Sequence, residues 1–216
     1  MVTILISGAG TGVGKTRVTG AFARWAAKHG RTVQIIKPVQ SGVMRGEPSD
    51  ADVAAKMARL PPDCAHTLRR YRAALAPMAA AKMERQTLDI KKIINEMKGL
   101  PSADLRLVEG AGGIAVPLNT KGWDWADFAR AIRPSAVVLV VADELGAINQ
   151  ARLAYYYTVA KIGKKIPCGI LLNAKTKSPT NVATSTRTAL LDCRVPIWGE
   201  LATNSLNLKL HFQFCD

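Results

Sequence analysis

Several features that would fix the class of a chain at once are missing here. The four cysteines (Cys64, Cys168, Cys193 and Cys215) form no CxxC pair, and the three histidines (His29, His66, His211) are not spaced with them as zinc ligands. That excludes a structural zinc module and leaves the thiols reduced and structural. Long apolar runs are also absent. The opening run "VTILI" is about five residues, against the about 20 a membrane-spanning helix needs, and nothing reads as a signal peptide. A cytoplasmic protein with no membrane partner is expected. Acidic residues are scarce, 16 against 30 basic ones, for a net charge of +14. The basic residues are scattered, with short clusters only at "RRYR" (69–72) and "KK" (91–92 and 164–165), and no extended basic stretch interleaved with aromatics appears. Specific nucleic-acid binding is therefore not indicated, and attraction of a small anion such as a nucleotide is the other reading of the charge.

What is present is enough for one substantial core: 216 residues, 48% of them hydrophobic, with no repeat, low-complexity tract or linker. We read residues 1–216 as one domain with an atypical tail at 203–216. Short apolar runs at Val2–Ser7, Thr32–Ile36, Leu105–Val108, Ala136–Ala142 and Ile166–Leu172 lack period-two alternation, which predicts strands buried on both faces. Helical patterns fall at Lys15–His29, Asp50–Arg59, Thr87–Met97, Asp124–Ile132 and Ala147–Ile162. Strand and helix in alternation predict an α/β fold, a mostly parallel central sheet with helices on both faces. In the tail, "LNLKLHFQF" places Leu206, Leu208, Leu210, Phe212 and Phe214 on one side, the pattern of a half-exposed edge strand.

The first strand runs into "SGAGTGVGKTRVTG", Ser7 to Gly20. Gly8, Gly10, Gly12 and Gly14 permit the backbone conformations that gather N–H groups around an anion. The helix that follows points its positive end into the same space. In such a phosphate loop Gly12, Val13, Gly14, Lys15 and Thr16 would hold the triphosphate of ATP, Lys15 supplying a full charge and Thr16 a hydroxyl for Mg²⁺. The usual spacing wants glycine at position 9, where alanine stands. The extra early lysine of partition-type ATPases is missing, since Ala9 and Gly10 occupy that part of the loop. A guanine-reading Asn-Lys-x-Asp is missing too: the nearest stretch, "NAKT" at 173–176, has no aspartate. Asn173, at a strand end, either reads an adenine edge or is simply a polar strand-end residue.

Three further stretches lie where parallel-sheet proteins keep their chemistry, at the carboxyl ends of strands. They are "IIKPVQSG" with Lys37 and Ser41, "EPSDA" with Asp50, and "RLVEGAGG" with Glu109. Carboxylates facing a phosphate loop suit Mg²⁺. Taken singly, Lys37 also reads as a surface lysine, Asp50 as a helix cap and Glu109 as a solvent-facing acid.

The order of "GAGTGVGKT", "KPVQSG", "SDA", "APMAAA", "VEGAGG", "PL", "ADF", "ELGAINQA" and "LLNA", over residues 3 to about 201, resembles the dethiobiotin synthetase family. That resemblance implies a P-loop NTPase-like fold and a homodimeric, Mg²⁺- and ATP-dependent ligase. The enzyme would close a cyclic urea from 7,8-diaminopelargonic acid and CO₂ (or bicarbonate) in biotin synthesis. It implies that Lys37 faces the carbamate and Lys15 the phosphates, while Thr11 and Ser41 orient carbamate and diamine. Thr16, Asp50 and Glu109 would hold Mg²⁺, with Asp52 a weaker substitute for Asp50. Asn173 would read adenine, and Glu200 would lie near the ribose. Ala147, Ile148 and Asn149, at a helix start of the partner subunit, would receive the far carboxylate of the diamine. This loop departs from the family pattern in having Ala9 and Gly10 for threonine and aspartate, and no proline follows Glu200. Two other readings are an ATPase switch that recruits a partner without ligase chemistry, and a nucleic-acid-associated protein that binds nucleotide incidentally.

Overall fold

The structure is a computed structural model, and it describes residues 1–175 and 180–211. Its centre is an eight-stranded sheet. Seven strands run in chain order as β1 (Val2–Gly8), β2 (Val33–Lys37), β4 (Ala65–Thr67), β6 (Leu105–Glu109), β7 (Ala136–Ala142), β8 (Cys168–Asn173) and β9 (Ile197–Leu201). The eighth, β10 (Leu208–Leu210), lies at an edge, and the spatial order is β10-β9-β8-β7-β1-β6-β2-β4. All neighbours pair in parallel except β10, which runs antiparallel to β9. Two-residue strands β3 (Gln40–Ser41) and β5 (Arg70–Tyr71) pair separately beside the rim.

The continuous apolar character of the strands has the expected cause. Ile4, Ile6, Val138 and Val140 pack into a core on one face, and their neighbours Leu5, Val137, Leu139 and Val141 pack into a second core on the other. Because side chains alternate faces along a strand, two covered faces require apolar residues at every position. Helices α1 (Lys15–Lys28) and α2 (Asp50–Ala58) cover the first face. The second is covered by α3 (Pro77–Met83), α4 (Ile90–Gly99), α5 (Trp125–Ile132), α6 (Ala147–Ile162) and α7 (Thr180–Asp192).

The helix starts explain small departures from the sequence reading. Helix α2 begins at Asp50 as its pattern predicts, behind the cap Ser49. Helix α5 begins at Trp125, one residue after the expected Asp124, which is its cap. Helix α4 begins at Ile90, three residues after the expected Thr87, behind the cap Asp89. Each cap accepts a hydrogen bond from a first-turn N–H. Helix α2 stops at Ala58 because Arg59 turns left-handed, with φ of 60°. The tail does pair at a sheet edge, and Leu206, Leu208 and Leu210 all pack on the first core, as their spacing requires. Phe212, Phe214 and Cys215 lie outside the described residues. Among the described residues no helix is long and apolar enough to cross a membrane.

Candidate functional site

Strand β1 passes through Gly8 into the loop and α1. A methyl group on Gly8 would stand 2.8 Å from Val13 Cγ2 and 2.9 Å from the Val140 carbonyl, so only glycine lets the chain leave the sheet here. The start of the loop is then tied to β7 and to the segment that follows β6, with Ala9 N donating to Val140 O and Ile114 N to Gly8 O. Gly14, at φ of 92°, ends it, and a methyl group there would lie 2.0 Å from Asn173 Nδ2. The loop thus needs glycine at both ends. Ala9 stands where only the usual spacing, and not this backbone, asks for glycine.

Lys15, at the first turn of α1, is 7% exposed and donates to Gly10 O at 2.9 Å. Burial, then the nearby Lys37 ammonium, pulls its pKa down to about 8. On the same helix Thr16 and Thr19 lie three residues apart on one face, and both donate to Glu109, Thr16 Oγ1 to Oε1 at 2.9 Å and Thr19 Oγ1 to Oε2 at 2.7 Å. Glu109, at the carboxyl end of β6, is fully buried and so is not the solvent-facing acid it resembled.

Lys37 closes the group. It ends β2, is 2% exposed, and its ammonium reaches Asp50 Oδ2 at 2.6 Å, Glu109 Oε1 at 2.9 Å and the Gly110 carbonyl at 3.1 Å. Burial alone would lower its pKa, but the Glu109 and Asp50 carboxylates outweigh that and raise it above the ordinary lysine value. Asp50 is no cap. Ser49 fills that role in a reciprocal pair with Asp52, and Asp52 is further held by Arg70 at 3.0 Å. Of the two aspartates, Asp50 is therefore the one that reaches the cavity. Its backbone N–H donates to Gln40 Oε1, which fixes the start of α2 against β3.

These groups line a cavity of about 320 Å³ together with Thr11, Gly12, Gln40 and Ser41. Val13 is buried and does not line it. Thr11 is shared with a neighbouring cavity of about 570 Å³, lined mainly by Ile114, Val116, Leu153, Ala154 and Tyr157. A polar chamber and an apolar one thus meet at a single threonine. Thr16, Asp50 and Glu109 bring a hydroxyl and two carboxylates to one cavity, oxygen donors of the kind that suits Mg²⁺, with Glu109 bonded to Thr16 and both carboxylates to Lys37. Among the described residues no three His, Cys, Asp or Glu side chains cluster as a metal site.

The other side of the loop is different. Asn173, at the end of β8, is fully buried; its Nδ2 donates to Val13 O at 2.8 Å and its Oδ1 accepts from Arg17 at 2.5 Å. A base contact through this amide would share its oxygen with Arg17. Glu200, on β9, holds Arg187 with two hydrogen bonds of 2.7 and 2.8 Å, and Arg187 also reaches Asp143 at 3.1 Å. The Arg187 guanidinium holds the Glu200 carboxyl below its ordinary value. Ala147, Ile148 and Asn149 begin α6 after Gly146, with Ala147 N donating to Glu144 O. They line neither cavity of this chain, which Gln150 of the same helix does. Thr176 of "NAKT" lies outside the described residues.

Sequence reasoning missed Arg17, Thr19, Arg187 and Asp143. Thr19 carried a signal, since it repeats the Thr16 face one turn on. Arg17 carried little, because three of its partners are backbone carbonyls of distant segments.

A glycine-rich loop between a central parallel strand and a helix start, with Lys15 and Thr16 turned into a cavity against Glu109, defines a P-loop NTPase-class protein. The AAA domain family matches residues 2–205. An ATP-dependent dethiobiotin synthetase BioD of Mycobacterium tuberculosis is 35% identical over 195 residues, 88% of this chain and 82% of that protein. Another, of Frankia casuarinae, is 38% identical over 155 residues, 71% of this chain and 64% of that relative's length. Among solved structures, a putative plasmid partition protein of Borrelia burgdorferi bound to AMPPNP aligns with a TM-score of 0.61 at 13% identity, covering 95% of this chain and 87% of that one. Chloroplast FtsY of Physcomitrella patens aligns with 0.56 at 18% identity, covering 99% and 62%. These two share the fold. The chain belongs to the ATP-dependent dethiobiotin synthetase family.

Proposed function

We propose that this chain is a dethiobiotin synthetase, joining 7,8-diaminopelargonic acid and CO₂ into a cyclic urea at the expense of ATP. The observation that carries this reading is Lys37. A buried ammonium held by Glu109 and Asp50, on the wall of a phosphate-loop cavity, is a cation fixed where a second anion must approach the triphosphate. One amine of the substrate adds CO₂ and loses a proton, giving a carbamate. A carbamate oxygen then attacks the γ-phosphorus and ADP departs. The second amine attacks the carbamoyl carbon of the mixed anhydride, inorganic phosphate leaves, and the five-membered ring closes with loss of a proton.

An anion attacking an anion is slow unless positive charge stands on both sides of it. Lys15 would face the phosphates and Lys37 the carbamate, with Thr11 and Ser41 orienting carbamate and diamine by their hydroxyls. Mg²⁺, held by Thr16, Asp50 and Glu109, would supply charge neutralisation at the phosphate oxygens. The apolar cavity beyond Thr11 suits the alkyl chain of the diamine, whose reacting amines would then sit in the polar one. We assign the far carboxylate to Ala147, Ile148 and Asn149 of a partner subunit, as free N–H groups at a helix start favour an anion. Asn173 and Glu200 are assigned to adenine and ribose, and the whole acts as one cytoplasmic domain.

Phosphate release from MgATP should depend on both diaminopelargonate and bicarbonate. Release independent of both would favour an ATPase switch and overturn the proposal. Lys37→Ala should retain ATP binding while turnover falls about 10²-fold or more, by the scale of lost transition-state charge stabilisation.

A further inference from the structure

Arg17 is the third residue of α1, and its side chain leaves the helix on the side away from Glu109. One guanidinium nitrogen donates to Asn173 Oδ1 at 2.5 Å and to Ala174 O at 2.9 Å. The other donates to Ala202 O and, at 2.8 Å, to Ser205 O. Asn173 in turn donates to Val13 O of the loop. A planar fork with five donors is suited to this work, because one group can hold several fixed acceptors at once. Three segments distant in sequence are joined in this way: the phosphate loop with α1, the end of β8, and the turn between β9 and β10. Its partners among the described residues are neutral oxygens, one side-chain amide and three backbone carbonyls.

The location gives the contact its meaning. Ala174 and Ala202 are also walls of a cavity of about 270 Å³ at the carboxyl ends of β8 and β9, lined further by Leu172, Leu201, Asn207 and Glu200. This cavity lies across the loop from Lys37. A triphosphate whose γ-phosphoryl faces Lys37 has its nucleoside end directed away from that lysine, toward this wall.

We infer that Arg17 is a positioning residue for the nucleoside end of a nucleoside triphosphate: it clamps the carbonyls of Ala174 and Ala202, two residues of that wall, together with the Ser205 carbonyl and the Asn173 amide near them in the chain. The inference rests on the reading above that the loop holds a triphosphate, and it assigns to Arg17 the selection of the nucleoside, separate from the grip on phosphate.

Direct binding of MgATP and of inorganic tripolyphosphate with Mg²⁺, to the full chain and to Arg17→Ala and Arg17→Lys, tests it. The loss of several charged hydrogen bonds should weaken ATP binding by about tenfold or more in Arg17→Ala, with tripolyphosphate changed less than about twofold. The loss should appear in KM for ATP rather than in kcat. Arg17→Lys, which keeps the charge but not the fork, should recover part of the ATP affinity, and it provides the comparison should the alanine variant fold poorly. Equal losses of ATP and tripolyphosphate affinity, or no loss of either, would overturn the inference. Wild-type chain that binds neither would sink it together with the phosphate-loop reading. Wild-type chain that binds both but ignores diaminopelargonate would sink the ligase reading alone, leaving the ratio of the two affinities to decide for Arg17 as before.

Discussion

Lys15 and Lys37 end in the same cavity in opposite electrostatic conditions. Lys37 lies between two carboxylates and keeps its proton well into the alkaline range. Lys15 has burial and Lys37 against it, and titrates near pH 8. A triphosphate favours the ammonium form, so nucleotide binding and protonation of Lys15 reinforce each other. Below about pH 8 the free protein already carries the proton and affinity for MgATP should be level. Above it the proton must be taken up on binding, and affinity should fall by up to about tenfold per pH unit. Titration calorimetry from pH 7 to 9.5 checks this. Lys15→Arg, which keeps its charge throughout, should flatten the profile, and a flat profile in the wild type would remove Lys15 from phosphate binding.

At the scale of elements, α5 and α6 are joined through two carboxylates, Asp124 and Asp127, both of which accept from Lys161. Asp124 caps α5 through the N–H groups of Ala126 and Asp127, and also accepts from Tyr157 and, at 2.9 Å, from Lys161 of α6. Burial pushes its carboxyl up, but the hydrogen bonds from Tyr157 and Lys161 outweigh this and hold it below the ordinary aspartate value. A depressed carboxyl contributes stability that is present above its unfolded pKa and lost as pH falls through the folded one. Asp124→Asn keeps the shape and loses the charge, so it should cost about 2 kcal/mol at pH 7, with the gap to wild type closing below about pH 4. Thermal melts at pH 7 and in steps from about pH 4 down to about pH 2 measure both. Tyr157 also lines the apolar cavity, so the same variant should disturb that wall. The elements differ in how far the sequence announced them. Five strands and five helices were legible from apolar runs and stop signals. Helix α7 was not: it is rich in threonine and buries only Thr186 and Leu190, leaving no clear stripe. Strand β9 was not, because Gly199 interrupts it and a close partner, β10, supplies its context.

For the whole molecule, α6 sets the open question of assembly. Leu145 just before it and Leu153 and Tyr156 on it are 89%, 65% and 46% exposed, a concentration of apolar surface at one helix. Leu153 also borders the apolar cavity, so a second copy docking there would complete that cavity. We expect a dimer by sedimentation. Leu153→Glu should shift it toward monomer and raise KM for the diamine, and a wild-type monomer with full activity would exclude a shared site. The net charge of +14 favours anionic substrates in general and selects none of them. By itself the sequence determined the buried parallel strands, the phosphate loop and the order of motifs along the chain. Those depend on local backbone freedom and on residue spacing, which are written in linear order. Tertiary structure alone decided that Asp50 and not Asp52 faces the cavity, that Lys37 bridges two carboxylates, and that Arg17 ties three segments together. Each of these depends on which distant groups meet, and spacing along a chain does not encode the distance between residues that the fold brings into contact.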